Sequence, residues 1–245
     1  MTTRKANMHH IPNPPLQEPR PAGTLRVLAI DVGGSHVKIR SSAGGEERRF
    51  DSGPDMGAEV MTKAVLKMAD GLAYDAISMG YPGRVLRNRI EAEPVNLGKG
   101  WVDFAFAQAF GVSLRIVNDA LMQAVGSYRG GRMLFLGLGT GLGAAIVAEN
   151  VCLPLEIAHL PYRNGRTYED YLGRAGRKKR GHKKWRKHVH RVVALFDRAL
   201  EPDYVVIGGG NVDHLDRLPP KSFRGDNQNA FKGGFRIWTD SRLIL

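Results

Sequence analysis

Three times this chain runs from strong β-forming residues directly into glycines: VLAIDVGGS at 27–35, MLFLGLGTGLG at 133–143 and DYVVIGGGN at 203–211. After the first two turns the apolar run resumes, at Val37–Ile39 and from Ala144 onward, so each reads as strand, tight turn, strand. Glycine has no Cβ and accepts positive φ, so such a turn lets the backbone approach a bulky anion with successive N–H groups aimed at its oxygens. One glycine turn is ordinarily just a hairpin. Three of them, with charge and donors at Asp31, Ser35, Lys38 and Thr140, ask for more than chain reversal. Gly33, Gly34, Ser35 and Lys38, then Gly139, Thr140 and Gly141, then Gly209 and Gly210 are therefore the candidate phosphate-binding residues, and Asp31 is a carboxylate that could hold Mg²⁺ through water.

Between the turns, helical and extended patterns alternate. Ala58–Asp70 has helical spacing at Val60, Ala64 and Met68, with Val65 alongside; Ala76–Met79 is a short strand running into GYPG; Val102–Phe110 is a second predicted helix. Leu114–Val117 is a buried strand, and Asn118-Asp119 at its carboxyl end caps the helix ALMQAVGSY. The order is α/β. Ligands in open α/β sheets bind at such carboxyl ends, which draws attention to Asp119.

With 245 residues and 42% apolar content, the chain can bury one large core or two modest ones. Its single cysteine, Cys152, excludes an internal disulfide and a cysteine zinc cluster, and fits a reducing cytoplasm. Residues 1–23 carry five prolines and little that could pack, and read as a disordered N-terminal tail. The apolar stretch at 133–148 has four glycines and falls short of the roughly 20 residues a membrane helix needs.

DVGGSHVK, GLGTGLG and VVIGGGN, in this order and spacing, resemble the phosphate and nucleotide loops of the actin-like sugar kinases of the ROK group. YPG, NLGKGW, VNDA, EIAH, KKW and NQNAFKGGFRIW are similar to segments of the bacterial polyphosphate glucokinases within that group, and the match runs from about Leu25 to about Trp238. The resemblance implies an α/β, two-domain actin-like (ribonuclease H-like) fold, with a smaller domain over 24–118, a larger one over 119–245 and the active site in the interdomain cleft. It implies transfer of a phosphoryl group from polyphosphate, or from ATP, to the 6-hydroxyl of glucose, with Mg²⁺ neutralising the donor. Asp119 of VNDA would take the proton from the attacking hydroxyl; Asn118, Glu156 and His159 of EIAH, and Glu169 of TYEDYLG would hold the sugar. Independently of the resemblance, Asp119 could be only a helix cap, Glu156 an exposed loop acid and His159 a packed residue beside Pro161.

Two departures from the family pattern have consequences. The cysteine-rich zinc segment of many ROK kinases is missing, so no zinc is expected, and packing with Tyr162 or Tyr168 must hold the loop between His159 and Glu169. Some polyphosphate glucokinases carry a second acid two residues after the catalytic one, where this chain has Leu121.

The formal net charge of +12 is local in origin: residues 174–191 hold ten Lys or Arg and no acid, leaving the rest at 26 against 24. From Trp185, the residues Val189, Val192, Val193, Phe196 and Leu200 keep helical spacing, while Lys183, Lys184, Arg186 and Lys187 fill much of the other surface. These four form either a polyphosphate track or a solvated charged face. The competing functions are a strictly ATP-dependent ROK hexokinase and a non-catalytic polyanion-binding protein on the same scaffold. A ROK repressor would need a helix-turn-helix ahead of the sugar domain, which the proline-bearing tail cannot supply. The expected partners are glucose with polyphosphate or ATP, without membrane or nucleic acid; a homodimer is left open.

Overall fold

The computed structural model describes residues 25–245, so the tail expected over 1–23 lies outside the described residues. The first sheet begins with the hairpin β1 (Val27–Val32) and β2 (His36–Ser41), continued antiparallel by β3 (Arg48–Asp51). After α1 (Ala58–Met68), β4 (Ala76–Tyr81) pairs parallel with β1; a small hairpin, β5 (Val85–Leu86) and β6 (Arg89–Ile90), and α2 (Phe106–Phe110) follow; β7 (Ser113–Asn118) pairs parallel with β4. The order is β3-β2-β1-β4-β7. β4 is buried along its whole length and β1 almost so, as strands covered on both faces must be.

The second half begins with α3 (Asp119–Ser127), then β8 (Arg132–Leu138), β9 (Leu142–Ala148) and β10 (Val151–Pro154), an antiparallel trio. The hairpin β11 (Pro161–Arg163) and β12 (Arg166–Thr167) leads to α4 (Tyr168–Leu172) and α5 (Arg174–Leu200). β13 (Tyr204–Gly208) and β14 (Ser222–Arg224) then extend the sheet in parallel from β8, and α6 (Asn229–Thr239) follows. The resulting order, β10-β9-β8-β13-β14, repeats the plan of the first sheet: three antiparallel strands lengthened by two parallel ones. Alternation along β8 serves two cores. Leu134, Leu136 and Leu138 pack with Trp185, Val189 and Val192 of α5, whereas Met133 and Phe135 pack with α3 and α6.

α3 and α6 cross between the two sheets at a point where neither tolerates a side chain. A Cβ on Gly126 would overlap the Asn229 carbonyl, and one on Gly233 would overlap the Met122 carbonyl. From there α6 returns to the first sheet: Ser78 Oγ donates to the Gly234 carbonyl at 2.5 Å and Trp238 Nε1 to the Ile77 carbonyl at 3.2 Å. The Arg115 guanidinium lies 4.2 Å over the Trp238 ring and donates to the Ile237 carbonyl.

Two local expectations are revised and a third holds. α1 buries Ala58, Met61, Thr62 and Val65 and leaves Val60 57% exposed, because those four positions share the helix face turned to the core and Val60 lies off it. The helix expected over Val102–Phe110 starts only at Phe106, since Asp103 sits at φ 59°, a left-handed conformation that interrupts a right-handed helix. The basic helix is broken at Gly181 (φ 72°, ψ 161°) and runs on beyond it with Trp185, Val189, Val192, Val193 and Phe196 buried, the side the spacing assigned to the core. Among the described residues no helix is long and apolar enough to cross a membrane.

Candidate active site

The glycine turns differ in what each requires of its glycines. Of the six named turn glycines, only Gly209 has a positive φ, 80°, and a Cβ there would press on the Leu138 backbone. The first turn is instead shaped by close approach. Gly33 N donates to the His36 carbonyl at 3.0 Å, and a Cβ on Gly33 would meet that oxygen at 2.9 Å. Ser52 closes the turn from β3, its hydroxyl donating to the Gly33 carbonyl at 2.6 Å and its amide to the Ser35 carbonyl at 3.0 Å. In front of the second and third turns there is room: a Cβ on Gly139 or on Gly210 would meet nothing within 4 Å.

One buried amide joins those two turns. Asn211 N donates to the Leu138 carbonyl at 2.8 Å and its side-chain Nδ2 to the Gly139 carbonyl at 2.8 Å, while its Oδ1 accepts from Arg177 Nε at 3.2 Å. The first amide of α5, on Arg174, donates to the Gly139 and Thr140 carbonyls at 3.1 and 3.2 Å. Asn211 and Arg177 had no role in the sequence reading. The GGGN motif carried Asn211 in plain view, but nothing local shows that its amide reaches a turn 72 residues earlier.

Asp31 and Lys38 are direct partners across the first hairpin and so share a face, with Lys38 Nζ also 3.8 Å from Glu47. Asp31 is pushed up to about 6, first by burial, which outweighs the stabilising charge of Lys38. Asp119 opens α3 and accepts from Ala120 N at 2.7 Å. Burial pushes it up to about 7, and the carboxylates of Asp31 and Glu156 add to the shift. A carboxyl group poised near neutrality is suited to accepting a proton at physiological pH.

Asn118 caps α3, accepting from Leu121 N at 3.1 Å, and its Nδ2 donates to the Gly83 carbonyl at 3.1 Å. One amide hydrogen and part of the carbonyl's capacity are left for another partner. Leu121 is buried in the cluster between α3 and the second sheet, a place that would leave a carboxylate without water.

Glu156 and His159 lie exposed on the loop after β10, and Glu169 joins that loop to the second turn. Glu169 N donates to the Ala158 carbonyl at 3.0 Å, and its Oε2 accepts from Leu142 N at 3.0 Å. The intervening hairpin is held by rings: Tyr162 stacks on Tyr168 at 4.9 Å, meets Tyr171 edge-on at 4.9 Å, and shares a hydrogen bond of 3.2 Å between its hydroxyl and His188 Nδ1. This is the packing expected where the zinc segment is missing. Among the described residues no group of three or more His, Cys, Asp or Glu is disposed to hold a metal ion.

The four basic residues read as one track do not share one environment. Lys183, Lys184 and Lys187 are exposed, but Arg186 donates to the His214 carbonyl at 2.6 Å and pairs with Asp216 at 2.9 Å, so its guanidinium is already engaged.

The chain is similar to known proteins along most of its length. It is 26% identical over 221 residues to the polyphosphate glucokinase of Mycobacterium tuberculosis, covering 79% of this chain and 80% of that one. It is 26% identical over 225 residues to the polyphosphate glucokinase of Mycobacterium leprae, covering 81% and 68%. No protein-family model matches. The fold superposes on an inorganic polyphosphate/ATP-glucomannokinase from Arthrobacter sp. strain KM with a TM-score of 0.74 at 19% identity, covering 86% of this chain and 97% of that one. It superposes on a ROK family glucokinase from Streptomyces griseus, solved with glucose and AMPPNP, with a TM-score of 0.73 at 15% identity, covering 88% and 100%.

Proposed function

We propose that this chain, whose fold is that of the ROK sugar kinases, transfers a phosphoryl group from polyphosphate or ATP to the 6-hydroxyl of glucose. The observation that carries the reading is Asp119, held up to about 7 by burial and by the neighbouring Asp31 and Glu156 carboxylates. It stands where the first-sheet hairpin and the Glu156 loop converge, so a proton acceptor meets an anion site and a hydroxyl-binding site together.

Asp119 accepts the proton of the 6-hydroxyl as its oxygen bonds to the terminal phosphorus; the bridging P–O bond breaks, and the shortened donor leaves with that electron pair. Asn118, Glu156, His159 and Glu169 hold the sugar, with Glu169 fixed through Leu142 N so that sugar and donor sites keep register. Gly33, Gly34, Ser35 and Lys38, Gly139, Thr140 and Gly141, and Gly209 and Gly210 cradle the phosphates. The two half-buried carboxylates suit Mg²⁺, because a divalent cation would relieve the repulsion that Asp31 adds at Asp119. Asp31 would hold it through water, and the ion would neutralise the donor's charge. The two domains of this reading are 24–118 and 119–245, with α6 reaching back onto the first.

The test is glucose 6-phosphate formation by purified protein supplied with Mg²⁺ and either polyphosphate or ATP. Product with polyphosphate supports the full reading, product with ATP alone narrows it to an ATP-dependent hexokinase, and none with either donor overturns it.

A further inference from the structure

The turns after β8 and β13 are joined, through Asn211, to a chain of contacts that ends on a histidine outside the candidate sugar and phosphate residues. Arg177 donates from Nε to Asn211 Oδ1 at 3.2 Å, and its Nη1 lies 3.0 Å from His182 Nε2. Asn211 in turn holds the Gly139 carbonyl. In an unbroken helix, positions five apart point to different faces; the break at Gly181, φ 72° and ψ 161°, brings His182 back against Arg177. The His182 ring also meets that of His214, on the short helical turn Val212–His214, with centroids 4.7 Å apart. The charges facing this pair are mostly positive. Arg177 and Arg186 come from α5, with Arg186 bonded to the His214 carbonyl and to Asp216, and the one acid of the helical turn, Asp213, is paired with Arg224 at 2.5 Å. Burial, then the charges of Arg177 and His182, hold the His214 imidazole below the usual histidine range.

A guanidinium has only donors, so the contact between Arg177 and His182 exists only while Nε2 carries no proton, in the neutral imidazole with its hydrogen on Nδ1. An imidazolium would offer Arg177 no acceptor and would set a second positive charge against it. We infer that His182 is a positioning residue of the donor site: as a neutral ring it holds Arg177 on Asn211, Asn211 holds the Gly139 turn, and the turn slackens when His182 takes up a proton. The linkage from His182 to Gly139 is a matter of printed-out geometry alone, whereas its purpose rests on the sugar-kinase reading, which makes that turn a donor site. An imidazole ordinarily gains its second proton near about pH 6.5, so the contact is sensitive to pH within the range in which cells work.

Two variants of the full chain separate the acceptor from the ring: His182→Gln keeps an acceptor near the place of Nε2 but does not titrate, and His182→Ala has none. With ATP and with long-chain polyphosphate at about pH 8, His182→Ala should raise the donor KM roughly threefold, His182→Gln should restore it, and the glucose KM should not move. Between about pH 8 and pH 5.5 the donor KM of the parent should rise roughly threefold relative to that of His182→Gln, a ratio in which titration of the donor's own phosphates cancels. Superimposable pH profiles for parent and His182→Gln would overturn the inference. So would a parent KM that falls in acid relative to His182→Gln, because the new charge would then merely attract the donor. A second readout needs neither donor nor sugar. His182→Ala and Asn211→Ala each release Arg177, so at about pH 8 their combined loss of melting temperature should fall short of the sum by roughly 1–2 °C, and at about pH 5.5 the losses should add. Simple addition at both pH values would overturn the linkage itself. A protein that shows this coupling yet phosphorylates no sugar would sink the kinase reading and leave the linkage standing.

Discussion

Asn211 donates its side-chain amide to the carbonyl of Gly139 at 2.8 Å, and so holds the turn after β13 against the turn after β8. The two turns belong to adjacent parallel strands, and this side-chain contact adds to the bond from Asn211 N to the Leu138 carbonyl, with Arg177 donating to the other end of the same amide.

Asn211→Ala should therefore loosen the donor site specifically. Leaving the Gly139 carbonyl and Arg177 without this partner costs about 1–3 kcal/mol of stability, and the donor KM should rise by about tenfold with the glucose KM little changed. Steady-state kinetics with each substrate varied in turn checks this; a rise in the glucose KM alone would contradict it.

Asp119→Asn removes the proton acceptor while keeping the shape. Turnover should fall by on the order of 10²-fold or more, with glucose affinity retained. Near-normal turnover would take Asp119 out of the mechanism.

The same variant makes a thermodynamic prediction. A carboxyl group whose folded pKa stands at about 7 against an ordinary 3.8 contributes most to stability below about pH 4 and loses that contribution as pH rises through 7. Without added divalent cation, Asp119→Asn should thus gain in melting temperature over the parent as pH rises from 4 to 8, by several degrees at the upper end. A difference that stays flat across this range would mean that Asp119 titrates as an ordinary surface acid.

The glycines of the second turn should respond unequally to valine. A side chain at Gly139 enters open space, so Gly139→Val should keep the fold and obstruct the donor. At Gly141 it would collide with the Glu169 carboxylate, so Gly141→Val should displace Glu169 from Leu142 N and impair sugar binding as well as stability. Comparing donor and glucose affinities in the two variants decides it; matching profiles would contradict the distinction.

Gly233→Ala places a methyl group against the Met122 carbonyl and must wedge α3 from α6. A loss of about 3 kcal/mol, read as a drop of roughly 10 °C in melting temperature, is expected. Calorimetry of the variant measures it.

Much of this was legible because the strongest local patterns coincide with the structural repeat. The strand-turn-strand reading at 133–148 became β8 and β9, the mirror of β1 and β2, and the cap at Asn118 placed Asp119 at the head of α3. What escaped depends on contacts between distant residues. Val60 and Met61 both fit a helical stripe, and only the neighbouring sheet decides which faces inward. α6 was visible as the motif NAFKGGFRIW but not as an element, because its paired glycines weaken helical propensity and their purpose appears only against Gly126. Arg186 looked like one more free cation until Asp216, 30 positions on, was brought beside it.

The return of α6 to the first sheet also dictates an order of events in synthesis. Gly234 rests against Ala29 and Ser78, and Trp238 donates to Ile77, so one face of the first sheet is closed by residues made some 200 positions after β1. While the chain is still growing, β1, β2 and β4 can pair, but their apolar rear face has no native cover. Completion waits for contacts of long sequence separation, which are slow to form. During that interval the newborn first half is the part most exposed to aggregation and most in need of a chaperone.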